Sequence, residues 1–352
     1  MKNFNIKSLI AFGIALAITS IAYAGNEDRT GQAGASELLI NPWAKSSGWG
    51  GVNTSSAHGI DAMFLNIAGL SFIDKTDISF THTQWLKGSD ININSVGIGV
   101  KAGESGAFGI SVMSFDFGEV DITTVDIPEG GIGTFQPQYI NIGIGYAKEF
   151  SNSIHGGLAI KIISESIADV SAQGVAFDAG IQYVTGFNED KDDLSFGIAL
   201  KNVGSPMRFE GDGLAVRGNA PLTGTVIAFE QRSDNFELPS LINIGANYRW
   251  DPAADHEIQF AGNFQSNSFT QDIIGAGLQY GFKERFYVRG AYSFEENISD
   301  DELRLTALTG LSGGFSINLP LGKSGKTFGI DYSYRSSDPF DGTHSFGARF
   351  HL

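Results

Sequence analysis

The sequence predicts an all-β fold, a transmembrane antiparallel β-barrel of about fourteen strands with an N-terminal plug segment. Apolar residues alternate with small or polar ones, the alternating segments are long, and the joins between them differ in length from one side to the other. In residues 138–147, for example, Ile140, Ile142 and Ile144 point opposite to Asn141 and Gly143. A period of two is the pattern of strands, because successive side chains point to opposite faces.

The first element is a predicted signal peptide, residues 1–24. Lys2 and Lys7 precede an apolar run from 9 to 21, and the sequence AYA at 22–24 provides a cleavage site. A membrane anchor is the alternative, but this run is shorter than the ~20 residues that a spanning helix needs. We therefore expect an exported protein.

Composition restricts what the exported chain can be. The chain has 23 Lys and Arg against 39 Asp and Glu, a formal net charge of −16, which argues against nucleic acid as a partner. It has no cysteine, so stability is expected from a large hydrogen-bonded architecture rather than from disulfides. After residue 24, no stretch approaches 18 unbroken apolar residues, which argues against helical membrane spans.

The strand segments are long enough to cross a bilayer. Most are longer than the ~5–6 residues typical of globular strands and match the ~9–11 residues of a tilted membrane strand. Their predicted spans are 77–86, 91–102, 106–117, 137–150, 154–168, 174–185, 194–203, 239–250, 256–265, 271–282, 285–294, 303–318, 326–336 and 343–352.

The joins are mostly tight after even-numbered segments, with an eight-residue exception at 186–193, whereas those after odd-numbered segments include the two longest, 118–136 and 204–238. Outer-membrane barrels have this asymmetry of short periplasmic turns and long outer loops.

A secreted β-sandwich or β-helix is the competing interpretation, since half-buried soluble strands also alternate. Two observations favour the barrel. The faces opposite the apolar ones are rich in Gly, Ala and Ser with only scattered charges, and aromatic residues stand near segment ends, as expected of an interfacial girdle. These aromatic residues are Trp85, Phe150, Tyr248 and Trp250.

The two ends of the mature chain complete the predicted organisation. Residues 25–76 are rich in Gly and Ser with weak periodicity, and we expect them to form a plug inside a barrel made by residues 77–352, because a lumen of this width needs filling. The last residues resemble the C-terminal assembly signal of outer-membrane barrels, which implies recognition by the barrel-assembly machinery. Its positions are Ser345, Gly347, Phe350 and Leu352.

Several stretches together resemble one family, the PorV/PorQ-type outer-membrane proteins, which belong with the FadL-like fourteen-stranded barrels. They are GASELLI, SGWGG, GIDAMFLNIAGL, FTHTQWL, ISVMSFDFGEV, GLAIKIISESI and VAFDAGIQY. The family usually has Asn-Pro-Ala-Gly-Leu in the plug, where this chain has Asn66, Ile67, Ala68, Gly69 and Leu70.

The resemblance implies two functions. PorV-like members work with the type IX secretion system, receiving exported cargo proteins at the outer membrane. FadL-like members pass hydrophobic molecules through a lateral opening near a kink in the third strand.

The third segment shows a change of pattern that bears on this choice. Phe108 and Ile110 share one face, but the aromatic residues then shift phase to Phe115 and Phe117. One hypothesis is a bulge at Met113 and Ser114 that opens the wall laterally. The alternative is an inward aromatic pair that packs on the plug.

No enzyme activity is predicted. The sequence GLSGG places Ser312 in a G-x-S-x-G pattern, but a nucleophile elbow needs a strand-turn-helix, and this stretch lies inside an extended segment. The six histidines show no metal-ligand spacing, and no cofactor is expected.

The main functional prediction is therefore a secretion-system component that contacts the translocon and cargo proteins through its outer loops. The alternative is a passive transporter of a hydrophobic ligand, and a purely structural barrel stays open. Outer-membrane lipid is a partner in each case.

Overall fold

The computed structural model describes residues 29–186, 193–219, 224–322 and 325–352. The predicted signal peptide, and all but the ends of the predicted turn at 186–193, lie outside the described residues. Within these four ranges, the helices are too short to cross a membrane.

Fourteen strands close into one antiparallel barrel, as predicted. Each pairs with the next barrel strand along the chain, and the last pairs with the first to complete the wall. The barrel strands are β1 (Thr76–Trp85), β2 (Ile91–Ala102), β3 (Gly106–Asp116), β6 (Gln138–Ser151), β7 (Ile154–Ile167), β8 (Val170–Thr185), β9 (Leu194–Gly204), β12 (Leu241–Ala253), β13 (His256–Asn267), β14 (Ile273–Phe282), β15 (Phe286–Glu295), β16 (Leu308–Pro320), β17 (Thr327–Ser337) and β18 (Thr343–His351).

Cross-strand rows explain why this sequence forms a barrel with two different faces. On the outside, Ile98 pairs with Ile110, which pairs with Ile144, and all three side chains are exposed. On the inside, Gly99 pairs with Gly109. An exposed apolar row is stable against lipid tails, and the glycine row leaves room for the plug.

The predicted strand limits agree with the structure to within two residues, except at the end of β12 and at two starts. β12 ends at Ala253 rather than at 250. β8 begins at Val170 rather than at 174. β16 begins at Leu308 rather than at 303, because the preceding residues form a turn in which Asp300 accepts hydrogen bonds from two backbone N–H groups and Arg304 pairs with Asp338 at 2.9 Å.

The predicted bulge in the third strand is wrong. β3 pairs with β2 and β6 without a register shift, so Met113 and Ser114 lie in an unbroken ladder and the wall beside them is closed. The alternation continues in phase, but the lumen-facing positions change from small residues to Met113 and Phe115. Phe115 lies in the same buried cluster as Leu38 of the plug and stacks on Phe117, with 5.6 Å between the ring centroids, which agrees with the alternative of an inward aromatic pair.

The plug lies inside the barrel and consists of short helical turns. These are α1 (Ala44–Ser47), α2 (Ala62–Leu65) and three 3-10 turns at Ser36–Leu39, Gly59–Asp61 and Ile67–Phe72. The last 3-10 turn packs against β6, β7 and β8, whereas α1 packs against β16, β17 and β18. The plug thus contacts opposite parts of the wall.

The two ends of the barrel differ. We name the end at which β1 finishes the outer end. The long connections at this end contain two short sheets, β4 (Val120–Asp121) with β5 (Thr134–Phe135), and β10 (Ala215–Asn219) with β11 (Val226–Glu230). The opposite, inner end carries tight turns such as the one between Ala102 and Gly106.

Candidate functional site

The predicted plug motif is buried against β8 and β9. Asn66 caps the 3-10 turn that follows it, since its Oδ1 accepts a hydrogen bond from the Ala68 N–H at 3.2 Å. Its Nδ2 donates to the carbonyl oxygens of Ile181 at 3.1 Å and Ile198 at 3.4 Å. The plug is therefore tied to the wall on this side by hydrogen bonds. Asn66, Ile67, Ala68 and Leu70 are at most 3% exposed, and Gly69 is buried.

A second set of polar contacts ties the plug to β14, β15 and β16. Arg289 donates to the Lys45 carbonyl oxygen at 3.1 Å, to Gln279 Oε1 at 3.0 Å and to Ser316 Oγ at 2.7 Å. Two of these bonds hold the guanidinium within the wall, and the third attaches α1 to it.

The plug also contains a buried acid beside this network. Asp61 is 4% exposed and accepts a hydrogen bond from Ser46 Oγ. Burial raises the pKa of Asp61, and the nearby Lys45 acts in the opposite direction.

An outer cavity of about 470 Å³ lies between the plug and the outer halves of β12 to β17. This volume falls within the ~300–1,000 Å³ of small-molecule sites. Most of its lining from the plug, and much of its lining from the wall, is apolar. The apolar lining includes Leu39, Ile40, Val52, Phe64, Leu65, Trp85, Leu241, Ile273, Ile298, Leu305 and Leu308.

Trp85, expected in the interfacial girdle, instead faces the lumen and lines this cavity. Phe150 and Trp250 are 68% and 48% exposed at strand ends, where the girdle was predicted.

Three charged side chains stand among these apolar groups, namely Lys201, Glu295 and Arg335. Lys201 is 3% exposed, and its ammonium nitrogen lies 3.7 Å from the centroid of the Phe64 ring, a cation–π contact between wall and plug. A solute in the cavity would therefore meet a mainly apolar surface that also carries three charged groups and five amide side chains.

The wall is irregular beside Lys201, and the sequence analysis does not predict this irregularity. The register of β8 and β9 shifts between Phe177 and Ala179, and Asn202 has a φ of 59°. Lys161 pairs with Asp178 at 2.6 Å, and Asn202 N–H donates to the same carboxylate at 2.8 Å. The adjacent polar pair at 201 and 202, which breaks the alternation of β9, was the available signal.

A polar inner chamber lies on the other side of the plug. It consists of two adjoining cavities of about 420 and 500 Å³, which share Lys45, His58, Phe72, Asn318 and Arg349 as lining residues. Arg349 pairs with Asp331 on the neighbouring strand, at 2.5 Å between Nε and Oδ2. The lumen is thus apolar towards the outer end and polar towards the inner end.

The C-terminal residues occupy both faces of the last strand. Ser345 accepts a hydrogen bond from Thr83 across the closing seam at 2.7 Å, and Gly347 lies against α1. Phe350 faces outwards and contacts Phe328, with 4.8 Å between ring centroids. Leu352 follows the end of β18.

The serine of the G-x-S-x-G pattern makes a hydrogen bond within the barrel wall. Ser312 is within β16, where its hydroxyl donates to the Ala291 carbonyl oxygen at 3.3 Å. In the described part of the chain, no three His, Asp or Glu side chains are grouped so that they could hold a metal ion.

No protein-family model and no curated protein matches the sequence. Solved structures do match. They include the toluene transporter TbuX of Ralstonia pickettii, with 13% identity over 88% of this chain and 96% of that chain and a TM-score of 0.50. CymD, described as a monoaromatic hydrocarbon channel, gives 11% identity over 89% and 97% and a TM-score of 0.52. The toluene transporter TodX of Pseudomonas putida gives 11% over 85% and 96% and a TM-score of 0.51.

At these identities the likeness shows a shared fold, the FadL-like plugged barrel that the sequence predicts. Membership of the PorV/PorQ type stays a prediction.

Proposed function

We propose that the protein is an outer-membrane channel of a Gram-negative bacterium that takes up hydrophobic small molecules through its plugged barrel. The outer cavity carries this proposal, because plug and wall together present an apolar surface of ligand size below the outer rim. The alternative function named from the sequence is thus preferred to cargo handling. The fold shared with two toluene transporters and a monoaromatic hydrocarbon channel supports the same choice.

A channel for uptake has one orientation in the outer membrane. Residues 1–24 are removed on export, the tight turns of the inner end face the periplasm, and the long connections face outwards. A solute from outside then reaches the apolar cavity first and the polar chamber second.

Strand β14 offers a matched pair of substitutions for a test. Ile273 lines the outer cavity, whereas its neighbour Ile274 points to lipid and is 56% exposed. Ile273→Trp fills the cavity, so we expect it to slow uptake of radiolabelled toluene by Gram-negative cells that lack a hydrocarbon channel of their own. Ile274→Trp makes the same change on the other face and should leave uptake at the unsubstituted level.

The amount of folded barrel in each membrane is measured by its heat-dependent migration on SDS gels. Equal uptake by the two variants contradicts the proposal. So does uptake through the unsubstituted protein that is no faster than in cells without it.

Cargo handling is a second candidate, and one observation favours it. The outer connections carry exposed apolar side chains above the barrel, including Val125 at 100%, Ile132 at 52% and Val226 at 62%. Such groups on the outer rim could contact a protein partner. Deleting the gene should then strand exported, surface-anchored proteins in the periplasm, whereas an unchanged surface proteome contradicts this function.

A further inference from the structure

A single turn of the plug separates the outer cavity from the inner chamber. Gly50, Gly51 and Val52 line the outer cavity, whereas Trp49 and Asn53, on either side of them in the sequence, line the inner chamber. The barrier between the two spaces is therefore one turn thick at this point.

The wall opposite this turn is built from small residues. A Cβ atom on Gly277 would stand 2.9 Å from both Trp49 Cε3 and Val52 Cγ2, so these two side chains rest on the backbone of β14. Movement of the turn would therefore leave an open passage along the wall. The row at this level, in register from β12 to β16, is Asn247, Ala261, Gly277, Ala291 and Ser312.

The contact between turn and wall is mainly apolar. Trp49 and Val52 form a small buried cluster with alanines of β13 and β15. The hydrogen bond from Ser293 Oγ to the Gly50 carbonyl oxygen is long, at 3.4 Å. Elsewhere the plug is also held by shorter polar contacts: Asn66 donates to the carbonyl oxygen of Ile181 at 3.1 Å, and Arg289 donates to that of Lys45 at 3.1 Å.

The turn also has a backbone that can act as a hinge. Gly50 and Gly51 have φ values of 61° and 81°, a region that residues with a Cβ rarely adopt. Two successive glycines allow residues 49–53 to change conformation while the segments before and after them stay attached.

We infer that solutes cross the barrel along the face of β12 to β15, and that the turn at residues 49–53 is the gate between the outer cavity and the inner chamber. This inference rests on the proposed function. The closed ladder on both sides of β3 agrees with a path through the lumen. Amide side chains mark the path on both sides of the gate, with Asn243 and Asn263 outside it and Gln259 and Gln279 inside it.

The chain has no cysteine, so an introduced pair of cysteines can lock this gate without competing disulfides to native cysteines. A Cβ atom on Gly275 would lie 3.6 Å from the Val52 Cβ, within the ~3.5–4.5 Å of disulfides. The double variant Val52→Cys, Gly275→Cys should form the bridge, and the substitution at 52 removes the methyl groups that would crowd the new side chain. We expect the oxidised variant to lose toluene uptake and to regain it on reduction.

A second lock tests whether the gate is local. Ala44→Cys with Gly347→Cys joins α1 to β18, away from the proposed path. A Cβ on Gly347 would lie 3.1 Å from the Ala44 Cβ, below the ~3.5–4.5 Å of disulfides, so the bridge requires a small shift of α1 away from β18. Because Gly347 belongs to the predicted C-terminal signal, uptake is compared between the oxidised and reduced forms of this same variant. We expect this oxidised variant to keep uptake.

Loss of uptake in both oxidised variants would show that the whole plug must move, and retention in both would place the path elsewhere. Either result overturns the inference. Reduced variants and the unsubstituted protein that show no uptake would instead contradict the proposed function itself.

Discussion

Asn66→Ala should loosen the plug on its β8 and β9 side without unfolding the barrel. The substitution removes the cap of the 3-10 turn and the hydrogen bond to Ile181, which are 3.2 and 3.1 Å long. The third bond, at 3.4 Å to Ile198, is longer than usual and contributes less. At ~1 kcal/mol for each of the two good bonds, the loss is about 2 kcal/mol.

Native-state amide hydrogen exchange measures this loss directly, because it reports local opening. A cost of about 2 kcal/mol raises the population of the open plug roughly 30-fold, since 1.4 kcal/mol corresponds to a factor of ten. Amides of residues 62–73 should exchange faster by that factor in purified protein in detergent, while amides of β14 and β15 should not change.

The matched control is Asn247→Ala, a buried amide of β12 whose Oδ1 has no hydrogen-bond partner within the described residues. It should leave exchange of the plug unchanged. The reasoning is refuted if Asn66→Ala behaves like this control, or if barrel amides accelerate together with those of the plug.

Two more predictions concern the wall. Lys161→Met leaves the Asp178 carboxylate buried without its ion-pair partner, which should cost about 3–5 kcal/mol in urea unfolding, whereas adding Asp178→Leu should recover most of the loss. Equal stability of the single and double variants would contradict this. Phe350→Ala should reduce the fraction of folded barrel in membranes, judged by gel migration, more than Phe346→Ala does, because only Phe350 belongs to the predicted C-terminal signal. A similar effect of both argues against a signal.

The fold was predictable because lipid and lumen impose opposite demands on neighbouring residues. Ile98, Ile110 and Ile144 had to face away from Gly99 and Gly109, and this period of two is visible in the sequence without any knowledge of the pairing. Strand length followed from the thickness of the bilayer, and the asymmetry of the joins from the short turns on one side and long loops on the other that such barrels have.

The site was less predictable because the plug obeys no such period. Its short turns are positioned by contacts with distant strands, as Asn66 is by Ile181, and sequence spacing carries no trace of them. The turn at residues 49–53, proposed as the gate, could not be predicted from the sequence for the same reason. In the third strand, the shift of the aromatic residues to Phe115 and Phe117 suggested a break, although Phe115 only fills the lumen beside the plug.

A crystal structure of the protein soaked with 4-bromotoluene tests the central claim most directly, because bromine is located by its anomalous signal. The proposed function predicts bromine in the outer cavity, between Val52 of the plug and the inner faces of β12 to β16. Bromine found only on the lipid-facing surface of the barrel, with the outer cavity free of it, would contradict the account.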